Sequence, residues 1–495
     1  MRIIMVILFF TINSANAQLR NSIWCFGDSA GVDFRDITNP LPFNSVMDGR
    51  GSCVSIADSL GNLQLYANTY GPLLKTIVWN ANNDTLLDGS EGIIAGGFYN
   101  EQQIIPFPDS ISKYYLITNG AFSLLDGLYY SVIDMALDQG RGGVTSKHIQ
   151  ISSDTIADCV QVLKHANGRD WWLISKKASQ HFTHYNRFIV FLITPDGISA
   201  PINYDFNDAT DIYFQKIIFN SEGTKIMCVN LRGYMCEFNF DRCTGIINNP
   251  LLIYPEITVP PSTRLFWEGS YSPNDQLFYC STNRSNNMDQ SYLIQYDLTA
   301  SNVSSTADTL DNTLAPIGPG AIRLAPDNKI YYSRAYESPG VNSFPYADSM
   351  FNYINMNLSV INEPNQLGSA CNFQPFSFNL GGKRTYYSLP NNPQYDLGPV
   401  IGSVCDSLLN IVEDRNFEDI KVKVFPNPFS KSITIHSLSI SDVELNLYNN
   451  LGSLLLTKKF RENIQLVLSF LASGTYHLEL ISEKSVVIKK IVKTD

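Results

Sequence analysis

"YSPNDQLFYCS" (Tyr271–Ser281) and "LAPDNKIYYSR" (Leu324–Arg334) each place a turn of Pro, Asn and Asp before a run rich in Tyr, Phe and Ile. The turn residues supply the backbone angles of a tight hairpin, and the aromatic and β-branched run suits a buried, pleated strand. The same unit, an apolar strand, a short polar turn and a second strand, recurs as "CVSIADSLGNLQLYAN" from Cys53, "QIIPFPDSISKYYLIT" from Gln103, "VQVLKHANGRDWWLIS" from Val160 and "KIIFNSEGTKIMCV" from Lys216. With the copies from Gly269 and Ala321, the turn residues Asp58, Pro108, Asn167, Glu222, Pro273 and Pro326 repeat every 50 to 60 residues. Most units offer two further strands, as in "YMCEFNF" (Tyr234–Phe240) and "LLIYP" (Leu251–Pro255). A four-stranded sheet of this size cannot bury both faces alone, so neighbours must stack face to face in a ring.

The reading is therefore all-β: a β-propeller of about seven four-stranded blades (six to eight) over residues 18–395. The seventh blade is expected where "FQPFSFNLGGKRTYYSLP" (Phe373–Pro390) closes against "SIWCFG" (Ser22–Gly27), which removes exposed edge strands.

The N-terminus sets the compartment. Met1-Arg2, the apolar run Ile3–Phe10 and the small residues Ala15 and Ala17 have the form of a signal peptide, residues 1–17, cleaved after Ala17. No later stretch approaches the roughly 18 apolar residues that a membrane helix needs, so no membrane-spanning segment is expected in the mature chain. The formal charge of −11, with 35 Lys and Arg, excludes a surface built to neutralise nucleic acid. Nine cysteines without a CxxC pair argue against a zinc ribbon and allow disulfides in an oxidising compartment. Cys236 and Cys243 flank a turn, and either a local bridge or two separately buried thiols fits that spacing.

After Tyr395 the repeat signal stops, and residues 396–420, with Gly, Pro and acids, read as a linker. "KVFPNPFSKSITI" (Lys423–Ile435) then opens a second β region, 421–495. Pro426 and Pro428 hold Phe425 and Asn427 extended and remove two amide donors, which suits the edge of a small sheet. Four further strand segments and a turn at Asn449–Gly452 make this a small antiparallel sandwich.

The propeller strings resemble WD-repeat-like propellers of bacterial surface proteins, and "IWCFGDSAGVDF" is similar to the start of many such exported chains. Residues 421–495 resemble the type A C-terminal sorting domain of the type IX secretion system. The resemblance rests on "VFPNPF" at Val424, "LYNNLGSLLL" at Leu447 and "LASGTYHLEL" at Leu471 leading to "KKIVK" at Lys489. Val467 departs from it, standing where the family commonly has an acid. The resemblance implies that the secretion machinery reads residues 421–495 and that the protein reaches the medium or the outer cell surface via the periplasm.

Chemical motifs are sparse. No GxSxG elbow, HExxH helix, phosphate loop or EF-hand string occurs, and no cofactor or metal is expected. On a strand His181 and His184, three apart, would point to opposite faces, so a shared metal would require a helix or loop there, and a polar loop pair is the expected reading. The acids Asp28, Asp33, Glu91 and Glu268 are candidates to meet at the propeller mouth, as paired acids do in glycan-cleaving enzymes. Tyr114, Tyr115, Trp171, Trp172, Tyr331 and Tyr332 lie on second strands, where packing between blades accounts for them. Asp-Ser/Thr before an aliphatic residue or Met, Ala or Thr occurs eight times, against about two expected from composition. It resembles the O-glycosylation sequon of the same bacterial group, which implies modification of Ser29, Ser59, Thr85, Ser110, Thr155, Thr309, Ser349 and Ser407. Turn capping by Asp is the alternative account. The functional expectation is a non-enzymatic propeller that binds an extracellular protein or glycan. A polysaccharide hydrolase or lyase is the alternative.

Overall fold

The computed structural model describes residues 19–70, 75–120, 127–179, 181–257, 264–283, 290–336, 350–406, 422–437, 443–449, 454–481 and 486–494. The signal peptide, Ser349, Ser407 and the turn at Asn450–Gly452 lie outside them. The chain divides into two units, Met1–Cys405 and Asp406–Asp495.

Among the described residues, seven antiparallel sheets succeed one another in the first unit. Sheet 1 is Ile23–Phe26, Asp28–Asp33 and Leu41–Asp48. Sheets 2 to 7 open with the six hairpins of the sequence repeat: Cys53–Ala57 with Leu63–Tyr70, Gln102–Pro106 with Lys113–Asn119, Gln161–Lys164 with Trp171–Lys176, Gln215–Phe219 with Lys225–Asn230, Phe266–Tyr271 with Leu277–Thr282, and Ile322–Leu324 with Ile330–Tyr332. The turn chemistry explains why they form. The Asp58 carboxylate accepts the Leu60 and Asn62 amides at 2.8 and 2.9 Å, and Asn220 Oδ1 accepts those of Thr224 and Lys225 at 2.8 and 2.9 Å. Asp109, Asp275 and Asn328 take the left-handed conformation that short polar side chains tolerate.

Strand counts differ from four in three sheets. Sheet 4 splits its outer strand into Gly197–Ile198 and Ile202–Phe206, both paired with Asn186–Thr194. Sheets 1 and 2 carry three. After Lys75–Asn80 the stretch "ANNDTLLDGSEGIIAGGFYN" is too rich in Gly, Asn and Asp to alternate, and it runs as turns with isolated bridges. The expected closing segment is also corrected. Phe373–Asn379 is the outer strand of sheet 7, paired with Asn357–Ile361. Gly381 and Gly382, both at positive φ, then turn the chain, and only Arg384 bridges to Asp28 in sheet 1.

The core lies between sheets. Ile105, Leu116, Val162 and Leu173 join sheets 3 and 4, and Ile174, Phe188, Ile226 and Phe238 join sheets 4 and 5. Trp24, Phe26 and Val32 of sheet 1 pack with Tyr331, Leu358 and Val360 of sheet 7, and the Trp24 and Tyr331 rings lie 6.0 Å apart. That contact between first and last sheets closes the ring. The expected aromatic pairs on second strands are buried in these seams.

Among the described residues of the second unit there are two antiparallel sheets: Val422–Phe425, Ser432–Ser437 and Asn463–Val467, and Leu454–Phe460, Val443–Asn449, Gly474–Ile481 and Val486–Lys493 in that order. Ile433, Ile435, Leu445, Leu447, Leu478 and Leu480 fill the space between them. Val422–Phe425 is an edge strand, as the two prolines require. Beyond it Asn427 clamps the last strand: Oδ1 accepts the Val492 amide and Nδ2 donates to the Lys490 carbonyl, each at 2.8 Å. Phe429 enters the core.

Candidate functional site

The first strands of neighbouring sheets lie side by side around the axis, and the chain's own residues 384–397 run along it. The segment enters beside sheet 1, where the Asp28 amide donates to the Arg384 carbonyl at 2.9 Å and the Arg384 guanidinium donates to Asp28 Oδ2 at 3.0 and 2.9 Å. Gly27 (φ +62) makes room, since a Cβ there would sit 2.4 Å from the Arg384 oxygen. The Tyr387 carbonyl accepts the Ala321 amide of sheet 7 at 2.9 Å. Asn391 stands in the axis: its amide donates to the Cys53 carbonyl at 2.9 Å and its side chain to the Val160 and Gln102 carbonyls at 3.1 and 3.3 Å. Gln103 and Gln161 donate to Asn391 oxygens, each at 2.7 Å. One asparagine thus ties sheets 2, 3 and 4 together, and Gln394 adds sheet 5 through the Asn220 carbonyl at 2.9 Å.

The segment leaves at the end of the ring that carries the hairpin turns. Asp396 pairs with Arg20 at 3.0 Å, Arg242 donates to the Gly398 carbonyl at 2.7 Å, and the Val400 amide donates to Ala166 at 2.8 Å. Gly168 (φ +74) lets Pro399 pass, because a Cβ there would lie 2.9 Å from its ring. Cys405 then forms a disulfide with Cys243. This corrects the local Cys236–Cys243 bridge: Cys236 is a buried thiol, as are the other six unbridged cysteines. The first unit accordingly extends past Tyr395 to Cys405.

At the opposite end, where the inner strands begin, charged groups converge below an aromatic cluster. Lys216 donates to Asp158 Oδ2 at 2.7 Å, and Arg323 pairs with Glu268 at 3.1 Å. Asn100 joins the pairs: its amide donates to Asp158 at 2.6 Å and its side-chain oxygen accepts from Arg323 at 2.9 Å. All three acids, Glu101, Asp158 and Glu268, are buried. Burial, and then the charge of Asp158, hold the Glu101 carboxyl well above the usual carboxylate range. Burial also raises Asp158, against the opposing pull of Lys216. Above them Tyr99, Trp267 and Tyr387 meet with ring centroids 4.7 to 5.7 Å apart, and Phe98 and Phe214 extend the cluster at 5.9 Å.

Beside the axial segment lies a cavity of about 180 Å³, between sheets 4 to 7 and open toward the turn end at Ser221, Pro326 and Asn328. Arg323 and Glu268 reach its inner end, Ile218, Phe219 and Leu324 give it an apolar wall, and Gln161 and Gln394 line it with amides.

Of the acids expected at the mouth, only Glu268 is there. Asp28 serves ring closure, Asp33 pairs with Arg35 at 2.6 Å on sheet 1, and Glu91 is exposed, 4.0 Å from Lys75. They differ because an axial position is set by the blade each residue starts, which local spacing does not encode. Glu101, Asp158, Lys216, Glu268 and Arg323 all lie within three residues of the start of an inner strand, so superposing the repeats exposes the set. His181 and His184 are exposed, and among the described residues no group of three His, Cys, Asp or Glu is placed to hold a metal. Of the Ser and Thr candidates, Ser59, Thr85 and Thr309 are exposed, and Ser29, Ser110 and Thr155 are half-buried.

Solved propellers share the general arrangement at low similarity. The Dos1 propeller covers 74% of this chain and 83% of its own at 9% identity and a TM-score of 0.42. The periplasmic gluconolactonase PpgL of Pseudomonas aeruginosa covers 84% and 100% at 11% and 0.35. The Cps50 (Swd1) propeller domain of Myceliophteria thermophila covers 66% and 95% at 11% and 0.36. The fold assignment rests on the closed succession of sheets described above. No curated protein matches the chain. Residues 423–494 match the family described as the secretion system C-terminal sorting domain. The two-sheet unit with its VFPNPF clamp is therefore the type IX sorting domain of a protein marked for export, and the ring that precedes it is a β-propeller.

Proposed function

We propose that this exported propeller is a binding protein, secreted or held at the outer cell surface, that engages an extracellular protein or glycan through the aromatic end of the ring. The observation that carries this reading is the occupied axis. Residues 384–397 run along the axis, with Asn391 bonded to three sheets, and Asp158 and Glu268 are committed to Lys216 and Arg323. Paired-acid glycan cleavage needs two carboxyl groups facing the substrate, about 5 to 10 Å apart. Among the described residues this end carries Phe98, Phe214 and Trp267, half-buried over the buried rings of Tyr99 and Tyr387, and large rings are the residue type that dominates recognition surfaces.

In this reading residues 1–17 take the chain to the periplasm and residues 421–495 take it across the outer membrane, with residues 406–420 as the linker. O-glycans then occupy the exposed Ser59, Thr85 and Thr309, and the half-buried Ser29, Ser110 and Thr155 are poorer acceptors. Ser349 and Ser407 complete the set. The test is a screen of the purified full chain on glycan and protein arrays, with a parallel search for released products from a polysaccharide panel. A captured ligand without product supports binding. Turnover of any polysaccharide overturns it in favour of a hydrolase or lyase.

A further inference from the structure

The second unit brings together three stretches that lie apart in the chain. Phe425 ends the edge strand and pairs with Thr434, and Val467 ends its own strand opposite Ser432, so both strands finish at the same end of their sheet. The segments beyond them are tied there: the Leu468 amide donates to the Lys431 carbonyl and the Thr494 amide to the Phe429 carbonyl, each at 2.8 Å. Gly474 pairs with Lys493 at the matching end of the other sheet. The VFPNPF string, the LASG turn and the C-terminal KKIVK run thus converge on one end of the sandwich, fixed by the Asn427 clamp. Phe429 closes the core there, yet Phe425, Val467 and Phe470 stand 51, 66 and 67% exposed. Large apolar side chains gathered in water at one end mark an interaction surface. Its charge is one-sided: residues 425–432, 466–475 and 489–494 hold Lys431, Lys489, Lys490 and Lys493 and no Asp or Glu. Lys431 and Lys490 are exposed. The outer face of the four-stranded sheet is instead bonded within itself. Glu479 accepts from Tyr448 at 2.8 Å and Asn446 at 3.2 Å, and Asn446 accepts from Thr457 at 2.8 Å. The exposed leucines of that sheet, Leu454 and Leu455, are confined to its edge strand.

We propose that this end of the second unit is the surface the secretion machinery reads, with Phe425 and Phe470 seated in an apolar depression and Lys431 and Lys490 facing a rim of acids on that machinery. The inference rests on the sorting role of the tail and adds which face of it carries the signal. Apolar anchors inside a charged rim are the anatomy of a protein recognition surface. A label built this way is legible only in the folded state, because residues 425, 470 and 490 reach one end only when both sheets have formed.

The test expresses the full chain in a bacterium that carries a type IX machine and measures, by fractionation, the fraction outside the cell. Phe425→Ser with Phe470→Ser should lower that fraction by about tenfold or more, the loss expected of central anchors, with the protein held in the periplasm. Lys431→Glu with Lys490→Glu should lower it by roughly threefold or more, and Lys431→Arg with Lys490→Arg should match wild type, because charge is what the rim reads. Leu454→Ser, on the edge of the other sheet, should be secreted as wild type. The altered side chains are exposed, so the melting temperatures of the purified variants should stay within about 2 °C of wild type. If the serine pair fails to fold, the lysine pairs decide. Normal secretion of a folded serine pair overturns the proposal, as does an equal loss in Leu454→Ser. Retention of the tail deletion together with normal secretion of the serine pair sinks the proposed surface and keeps the sorting role, whereas secretion of the tail deletion sinks both. Intact secretion of the serine pair with lost self-association, or with lost binding to anionic vesicles, assigns this end to a second copy or to a lipid surface and overturns the proposal as well.

Discussion

Replacing Cys405 by serine tests whether the axial segment is latched by the disulfide or merely passes it. Cys243 and Cys405 are 162 residues apart, and the loop they close contains sheets 6 and 7 and the whole axial segment. Cross-linking a loop of that length removes about 5 kcal/mol of denatured-chain entropy, and native disulfides typically realise about 2 to 5 kcal/mol. With a urea slope of roughly 3 kcal/mol/M or more for a unit this large, the unfolding midpoint should fall by on the order of 1 M in Cys405→Ser. Wild type in reductant should fall by the same amount. A thiol assay supplies the count. The oxidised protein should show seven reactive thiols when denatured and nine after reduction, matching one bridge and seven free cysteines. The native protein should show almost none, because burial pushes the Cys53, Cys228 and Cys236 thiols up to about 12 and Cys159 to about 11. Limited proteolysis of Cys405→Ser should open new cuts between Asp396 and Ser403, where wild type is cut only beyond Cys405. Coincident urea curves with and without reductant, or nine thiols in the unreduced denatured protein, would refute the latch.

Other consequences follow from the axis and the tail. Lys216→Met strands the buried Asp158 carboxylate and should cost about 3 to 5 kcal/mol in urea unfolding, largely restored by adding Asp158→Asn. Glu101 has a raised folded-state pKa, so its protonated form favours folding below the unfolded value of about 4.3, and that advantage is lost as pH climbs toward the folded value. Glu101→Gln should therefore stabilise the protein at pH 7 relative to wild type and leave it nearly unchanged at pH 4, read from denaturation at both pH values. Arg384→Ala removes the buried guanidinium that donates twice to Asp28 Oδ2 and should lower stability by about 3 kcal/mol, whereas Arg35→Ala, at the exposed pair with Asp33, should change it by less than about 1 kcal/mol. Deleting Asp406–Asp495 should leave a folded propeller that is exported but retained in the periplasm. Its appearance outside the cell at the full-length level, by fractionation, would contradict the sorting role of the tail.

Local chemistry was enough to read the repeat. Each hairpin is built from adjacent residues, a Pro, Asp, Asn or Gly turn between two apolar strands, so six of the seven sheets are visible as a period along the chain. The VFPNPF and LASGTYHLEL strings were legible for the same reason, and the tail they mark matches the sorting-domain family. What the sequence could not determine is whatever depends on residues far apart meeting at the axis. Asn391 bonds to carbonyls on sheets 2, 3 and 4, up to 338 positions away at Cys53 (391 less 53), and nothing in "SLPNNPQYD" announces that it will lie inside the ring. Cys243 found Cys405 rather than its neighbour Cys236 because Cys236 lies on a strand with its side chain buried between sheets, while Cys243 sits in the turn that the emerging chain crosses. The acids divided in the same way. Whether an aspartate ends as a turn cap like Asp58 or as a buried ion pair like Asp158 depends on which blade it starts and what faces it across the axis. Propensity and periodicity act over a few residues, whereas burial and charge pairing at a shared centre are decided only when the ring closes.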